Sequence, residues 1–174
     1  MNMDTTRLLK LSIVYAIKDK LHENEINTES SVEDTTGWLY CPVLDSFPKD
    51  FSEVNLPTVI VEDSFALEGY EQIGGGYKSE QVLDIDIYSR YNGQRDDLTD
   101  LVLEVFKSQV ALGDYNVGFP TYTWGGSSFT RTGLPTRLQW VNFDDLRKLS
   151  LPEMNVGDTT ANRKKITVEA LILT

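Results

Sequence analysis

Apolar side chains recur at helical spacing from Thr5 to about Glu23. At 100° per residue, Leu9, Ile13, Ala16, Ile17 and Leu21 cover one broad face, with Val14 at its edge. Leu8, Leu11 and Tyr15 form a second stripe roughly opposite, and Lys10, Lys18, Lys20 and Glu23 fill the gaps. Asp4, Thr5 or Thr6 supplies a side-chain oxygen for the free backbone N–H groups at the start. A helix on the outside of a lone domain needs only one apolar face. The second stripe therefore predicts cover on the other side, either by a long loop of the same chain or by a neighbouring chain.

The pattern then changes to strands. Leu56 to Glu62 reads as a buried strand entered through Pro57, and Phe65 to Ile73 as a following strand. Gly74, Gly75 and Gly76 break the chain, and two strands around a glycine turn predict a hairpin. In Gln81–Arg90, Leu83, Ile85 and Ile87 alternate with Asp84, Asp86 and Tyr88, so one sheet face is buried and one is polar. After a turn at Asn92-Gly93, Leu98, Leu101, Val102, Val105 and Phe106 keep the spacing of one apolar helix face over 95–110. Asp96, Asp97 and Asp100 fall in its first turns, where the positive helix end favours acids.

Three stretches lack clear periodicity. His22–Thr36 is polar and reads as a loop. Leu112–Pro135 is rich in Gly, Thr, Ser and aromatics, including Tyr115, Phe119, Tyr122, Trp124 and Phe129, and reads as a long loop or irregular hairpin. Residues 136–149 are ambiguous, strand-like over Leu138–Phe143, with a loop expected at Leu151–Ala161. Ile166–Thr174 is β-prone and ends the chain as a strand. The expectation is an α+β fold, one domain over residues 1–174. It has a mixed or antiparallel sheet containing 57–62, 81–90 and 166–173, with two main helices packed on one face. Leu83, Ile85 and Ile87 are expected to meet Leu98, Leu101, Val102 and Val105.

Composition narrows the class. A chain of 174 residues can bury a full core without a disulfide or metal staple. Cys41 is the single cysteine, so it is free or paired with another chain, as in a reducing compartment. No run of 18 apolar residues predicts a membrane span, and Met1–Ile17 does not have the pattern of a signal peptide. The formal net charge of −11 disfavours a grip on nucleic acid. Arg163-Lys164-Lys165 is the local exception and reads as a solvated strand entrance.

The search for chemistry yields little. His22, the single histidine, reads as a solvated helix-end side chain. No nucleophile elbow surrounds a serine, and Cys41 sits in no nucleophile motif. One His and one Cys disfavour a zinc site, and no glycine-turned calcium loop is present. No metal, cofactor or catalytic group is expected. Asp84 and Asp86 share a strand face and are the carboxylates on which an alternative reading, a small hydrolase, would rest. The aromatics of 115–129 read as a ligand platform, as interface anchors or, for some of them, as part of the chain's own core.

The order of elements resembles the tail-terminator family of long-tailed bacteriophages and related contractile systems. Three stretches carry the resemblance: the opening helix Leu8–Leu21; Leu56-Pro57-Thr58-Val59-Ile60-Val61; and Leu83–Arg90 followed by Asn92-Gly93 and the helix to Val110. Together they span roughly residues 5–110. The resemblance implies a structural virion protein, made in the host cytoplasm and placed in the neck region of the tail. Six copies would form a ring on the head-proximal end of the tail tube, stop its growth and dock the neck connector. Another head–tail joining protein is the alternative within that class. The partners implied are further copies of the chain, the tail tube protein, the connector and the tail sheath, with DNA passing through ungripped. The candidate contact residues are Leu8, Leu11, Tyr15, Gly74, Gly75, Gly76, Tyr115, Phe119, Tyr122, Trp124 and Phe129. Asp84 and Asp86 are candidate acids of the lumen, and acids of the 23–36 loop are the next candidates.

Overall fold

The computed structural model describes residues 4–30, 32, 34–71 and 77–173, with the side-chain surroundings of 53, 65–71, 77–79 and 173 left aside. Helix α1 (Thr5–Glu23) begins where expected. Asp4 caps it, its carboxylate accepting the Arg7 N–H at 2.8 Å. Leu9, Ile13, Ile17 and Leu21 are fully buried, each side chain contributing about 1.5–3 kcal/mol relative to exposure. Leu8 and Leu11 are also buried in the same core, so this chain covers its own second stripe. That overturns both as contact residues for another copy, because neither presents surface.

Two short pairs follow. β1 (Ile26–Asn27) lies parallel to β2 (Leu39–Tyr40), and β3 (Val43–Leu44) parallel to the start of β4 (Thr58–Glu71). β4 is one long strand with a bulge at 63–65, where two separate strands were expected. It forms an antiparallel hairpin with β5 (Tyr77–Ser89), whose connecting Gly74, Gly75 and Gly76 lie outside the described residues. Helix α2 (Asn92–Val105) starts three residues earlier than 95, so Asn92-Gly93 is its first turn and not a separate one. The acids at 96, 97 and 100 therefore lie beyond the first turn. Asp96 instead binds Arg95 and Lys164.

β6 (Val110–Asp114) leads into a hairpin, β7 (Thr121–Trp124) with β8 (Phe129–Thr132). The chain ends in two long strands, β9 (Thr136–Val156) and β10 (Thr159–Leu173). The main sheet is six-stranded and mixed, in the order β3-β4-β5-β10-β9-β6, antiparallel everywhere except β3-β4. The α+β class and the placement of both helices on one sheet face hold. Val59, Val61, Leu83, Ile85, Ile87, Ile166 and Val168 line that face and are fully buried against α1 and α2. Leu98, Val102 and Val105 join this core, while Leu101 packs only partly buried at its margin.

α1 is joined to β6 by a buried relay. Ser12 Oγ donates to Leu8 O at 2.8 Å and accepts the Gly113 N–H at 3.0 Å. Position 113 requires glycine, because a Cβ there would lie 2.6 Å from Pro135 Cγ. A smaller apolar cluster, Ile60, Tyr88, Val156 and Ala161 with Phe51 and Met154, occupies the other sheet face. No helix among the described residues is long and apolar enough to cross a membrane.

Candidate functional site

The β7–β8 hairpin folds back onto α1. Tyr15 stacks between Tyr115 at 5.5 Å and Tyr122 at 6.3 Å, measured between ring centres. Tyr122 donates its hydroxyl to Asp19 Oδ1 at 2.6 Å, and Arg131 Nη1 binds Asp19 Oδ2 at 2.6 Å. Trp124 packs edge-on against Trp38 at 4.8 Å. The hairpin is thus fastened at both ends, by ion pair and by rings. Tyr115 is 2% exposed, and Tyr15, Tyr122, Trp124 and Phe129 are partly buried in this stack. These five pack against their own domain, where contact with another copy is the expectation for them. Phe119, 51% exposed, is the one described member of the candidate contact set that keeps an open surface.

His22 sits under the hairpin, only 8% exposed, and is not the solvated helix-end side chain expected. Its ring stacks on Phe129 at 4.1 Å and meets the Tyr122 edge at 4.5 Å. Nε2 lies 2.8 Å from Thr28 Oγ1, and Nδ1 is buried with no hydrogen-bond partner among the described residues. Burial pulls its pKa down to about 4, against the opposing pull of Glu29 and Asp19. Burial, and then the Asp19 hydrogen bond, holds the Tyr122 phenol far above its usual range.

The polar sheet face carries Asp84 and Asp86, but not as free acids. Asp84 accepts from Lys165 at 3.1 Å and from Thr167 at 2.7 Å. Asp86 is 3% exposed, with Lys165 at 3.6 Å and Arg163 at 3.9 Å. Burial raises the Asp86 carboxyl above its usual range, partly offset by those two cations. Both acids are neutralised within the chain, which removes them as a lumen-facing negative surface. The basic triplet is equally committed: Arg163 to Asp86, Lys164 to Asp96 at 2.8 Å, Lys165 to both aspartates. It is not a solvated strand entrance. Of the loop acids, Glu23, Glu25 and Asp34 are exposed, while Glu29 is held by Lys18 at 2.7 Å.

A cleft of about 580 Å³ opens between the ends of α1 and α2, β6 and the start of β9. Its charged lining is paired: Asp19 with Arg131, Lys20 with Glu104 at 2.7 Å, and Arg137 over the Trp140 ring at 4.7 Å. Neither Asp84 nor Asp86 lines it. Among the described residues no group of three or more His, Cys, Asp or Glu could hold a metal ion. Cys41 is fully buried and free, its thiol pushed up by burial to about 12. No bond to another chain can reach it there.

The strand β9 carries the surface that periodicity did not show. Asp144 to Ser150 lie inside this strand yet are all exposed, so neither sheet face is covered there. Leu138, Trp140, Leu146 and Leu149 stand 45–58% exposed along it. Beyond Val141, where β6 stops, no described strand pairs with the outer edge of β9. Lone domains rarely leave a long edge with bare leucines uncovered. No protein-family model matches this sequence, and no curated protein matches it either.

Proposed function

We propose that the chain is a structural subunit of the tail-terminator kind. Copies associate side by side into a ring, six in the family it resembles, which closes the head-proximal end of a phage tail tube. The ring stops tube growth and presents a docking surface to the neck connector, and to a sheath where one is present. The observation that carries this reading is the double exposure of β9 over Asp144–Ser150, with Leu146 and Leu149 bare. A surface of that kind is built to be covered by protein. The pairing of nearly every charged cleft residue within the chain supports assembly over catalysis.

The ring's work is steric: shape complementarity to the tube end, with no bond made or broken. DNA crosses the lumen without being gripped, in keeping with the net charge of −11 and with bases 163–165 already paired. Negative-stain imaging of the purified protein, alone and with tail tubes, tests this. Rings that seat on tube ends and halt tube extension support it. A protein that stays monomeric and leaves tube length unchanged overturns it.

A further inference from the structure

We propose that adjoining copies join by continuing the sheet: the outer edge of β4 in one copy pairs with the outer edge of β9 in the next. This rests on the ring reading and names the surface that would make it. Three observations converge. First, both edges are open. β3 pairs only with Val59 and Ile60, leaving β4 uncovered by any described strand from Asp63 to Glu71. β9 is uncovered beyond Val141, and a bulge at Asp145 (φ 45°) and Pro152, which has no N–H to donate, bracket the segment Leu146–Leu151.

Second, the directions match. β4, β5, β10 and β9 are successively antiparallel, so β4 and β9 run in opposite senses at the two sides of this four-stranded block. Placing one copy's β4 beside the next copy's β9 therefore extends the antiparallel pattern without reversal. The contact is head-to-tail, using two different surfaces. Such a contact repeats and closes into a ring when the rotation divides a full turn.

Third, the charges complement. Asp63–Glu71 carries Glu68, Glu71 and an Asp63 that Lys10 holds at 3.0 Å, and no base, while Leu146–Leu151 carries Lys148 and an Arg147 paired with the neighbouring Asp145, and no acid. Lys148 is exposed. Opposite charges across paired strands favour the pairing, and like charges oppose it. The occupant that fits is a second copy, because the matching edge, in direction and in charge, is on this same chain. On the two sheet faces, side chains of the added strand stand beside Leu146 and Leu149 and give them cover that they lack.

The test exploits the two-sided contact. One variant, Arg147→Glu with Lys148→Glu, makes both edges acidic. The other, Glu68→Lys with Glu71→Lys, makes both edges basic. Sedimentation velocity at low salt should show each variant alone needing at least about tenfold more protein to assemble than the wild type. An equimolar mixture should recover assembly to within about threefold, since alternating copies restore every opposite-charge contact. Wild-type assembly by either variant alone overturns the proposal. Should a variant not fold, amide hydrogen exchange of the wild-type protein below and above its assembly concentration decides the matter. New protection at 63–71 and 146–151 is the expected result. Rings that form with protection elsewhere refute the edge pairing and leave the ring reading intact. No assembly at any concentration, with or without tubes, refutes both.

Discussion

Acidification should loosen the clamp between α1 and the β7–β8 hairpin, because His22 is buried neutral beneath it. The folded pKa is about 4, against about 6.5 for an unhindered imidazole. The unfolded chain therefore takes up the proton first as pH falls. Stability from this group is complete above about pH 6.5 and is lost as the pH drops towards 4. Linkage puts the loss at about 2 kcal/mol between pH 7.5 and pH 5, and about 3 kcal/mol by pH 4. The structural reason is local. A second ring N–H would appear on a histidine wedged between Phe129 and Tyr122, where Nε2 already accepts the Thr28 N–H at 3.3 Å and Nδ1 has no partner among the described residues. Glu29 and Asp19 soften the penalty and Lys18 adds to it. Because the chain has one histidine, its ring resonances report the site without overlap. The assay pairs that NMR titration with urea unfolding of the wild type and of His22→Phe from pH 7.5 to 5. The variant should lose about 2 kcal/mol less over this range. A His22 midpoint above pH 6, or equal pH slopes for the two proteins, would refute the reasoning.

Tyr122→Phe removes the hydroxyl bound to Asp19 at 2.6 Å and should cost about 1–3 kcal/mol in urea unfolding, with faster amide exchange confined to 121–132. On the polar sheet face, Asp86→Asn should change stability at pH 7 by under about 1 kcal/mol, because burial already disfavours the charged carboxyl. Lys165→Met should cost about 2–4 kcal/mol by leaving Asp84 and Asp86 with less compensation, and equal costs for the two substitutions would contradict that account. Val102→Ala, at a fully buried helix position, should lower stability by about 1–3 kcal/mol by the same denaturation measurement. Leu149→Ser, by contrast, should leave subunit stability within about 0.5 kcal/mol while reducing assembly seen by sedimentation.

Legibility followed burial. Where one face is buried and the other wet, the pattern showed the element. Leu83, Ile85 and Ile87 on β5 and Leu98 and Val102 on α2 landed in the core as their spacing required. Where both faces are alike, the signal vanished. β9 runs for 21 residues, yet its middle is wet on both sides. Asp144, Asp145, Arg147 and Lys148 beside Leu146 and Leu149 show no period of two. For the same reason β10 was expected only from Ile166, although it begins at Thr159 with paired cations at 163–165 on alternating faces. For the aromatic segment composition leaves platform, interface and core open, because it shows a ring and not what it stacks on. Only the fold brings Asp19 and His22, one turn apart on α1, under Tyr122 and Arg131 more than a hundred residues later.

Under the proposed ring reading, the contact between copies moves away from the residues that composition pointed to. Leu8, Leu11 and Tyr115 are spent on the chain's own core, and the aromatic hairpin on the back of α1. Among the described residues, the stretches of β4 and β9 that extend past the short terminal strands β3 and β6 leave backbone edges unpaired, at opposite sides of one antiparallel block. A backbone edge carries little sequence signature, since any residue supplies the N–H and C=O that pair. A contact made by strand edges, as proposed, therefore accommodates a sequence without recognisable anchors, and charge reversal at 68, 71, 147 and 148 reads its direction and register more than its strength.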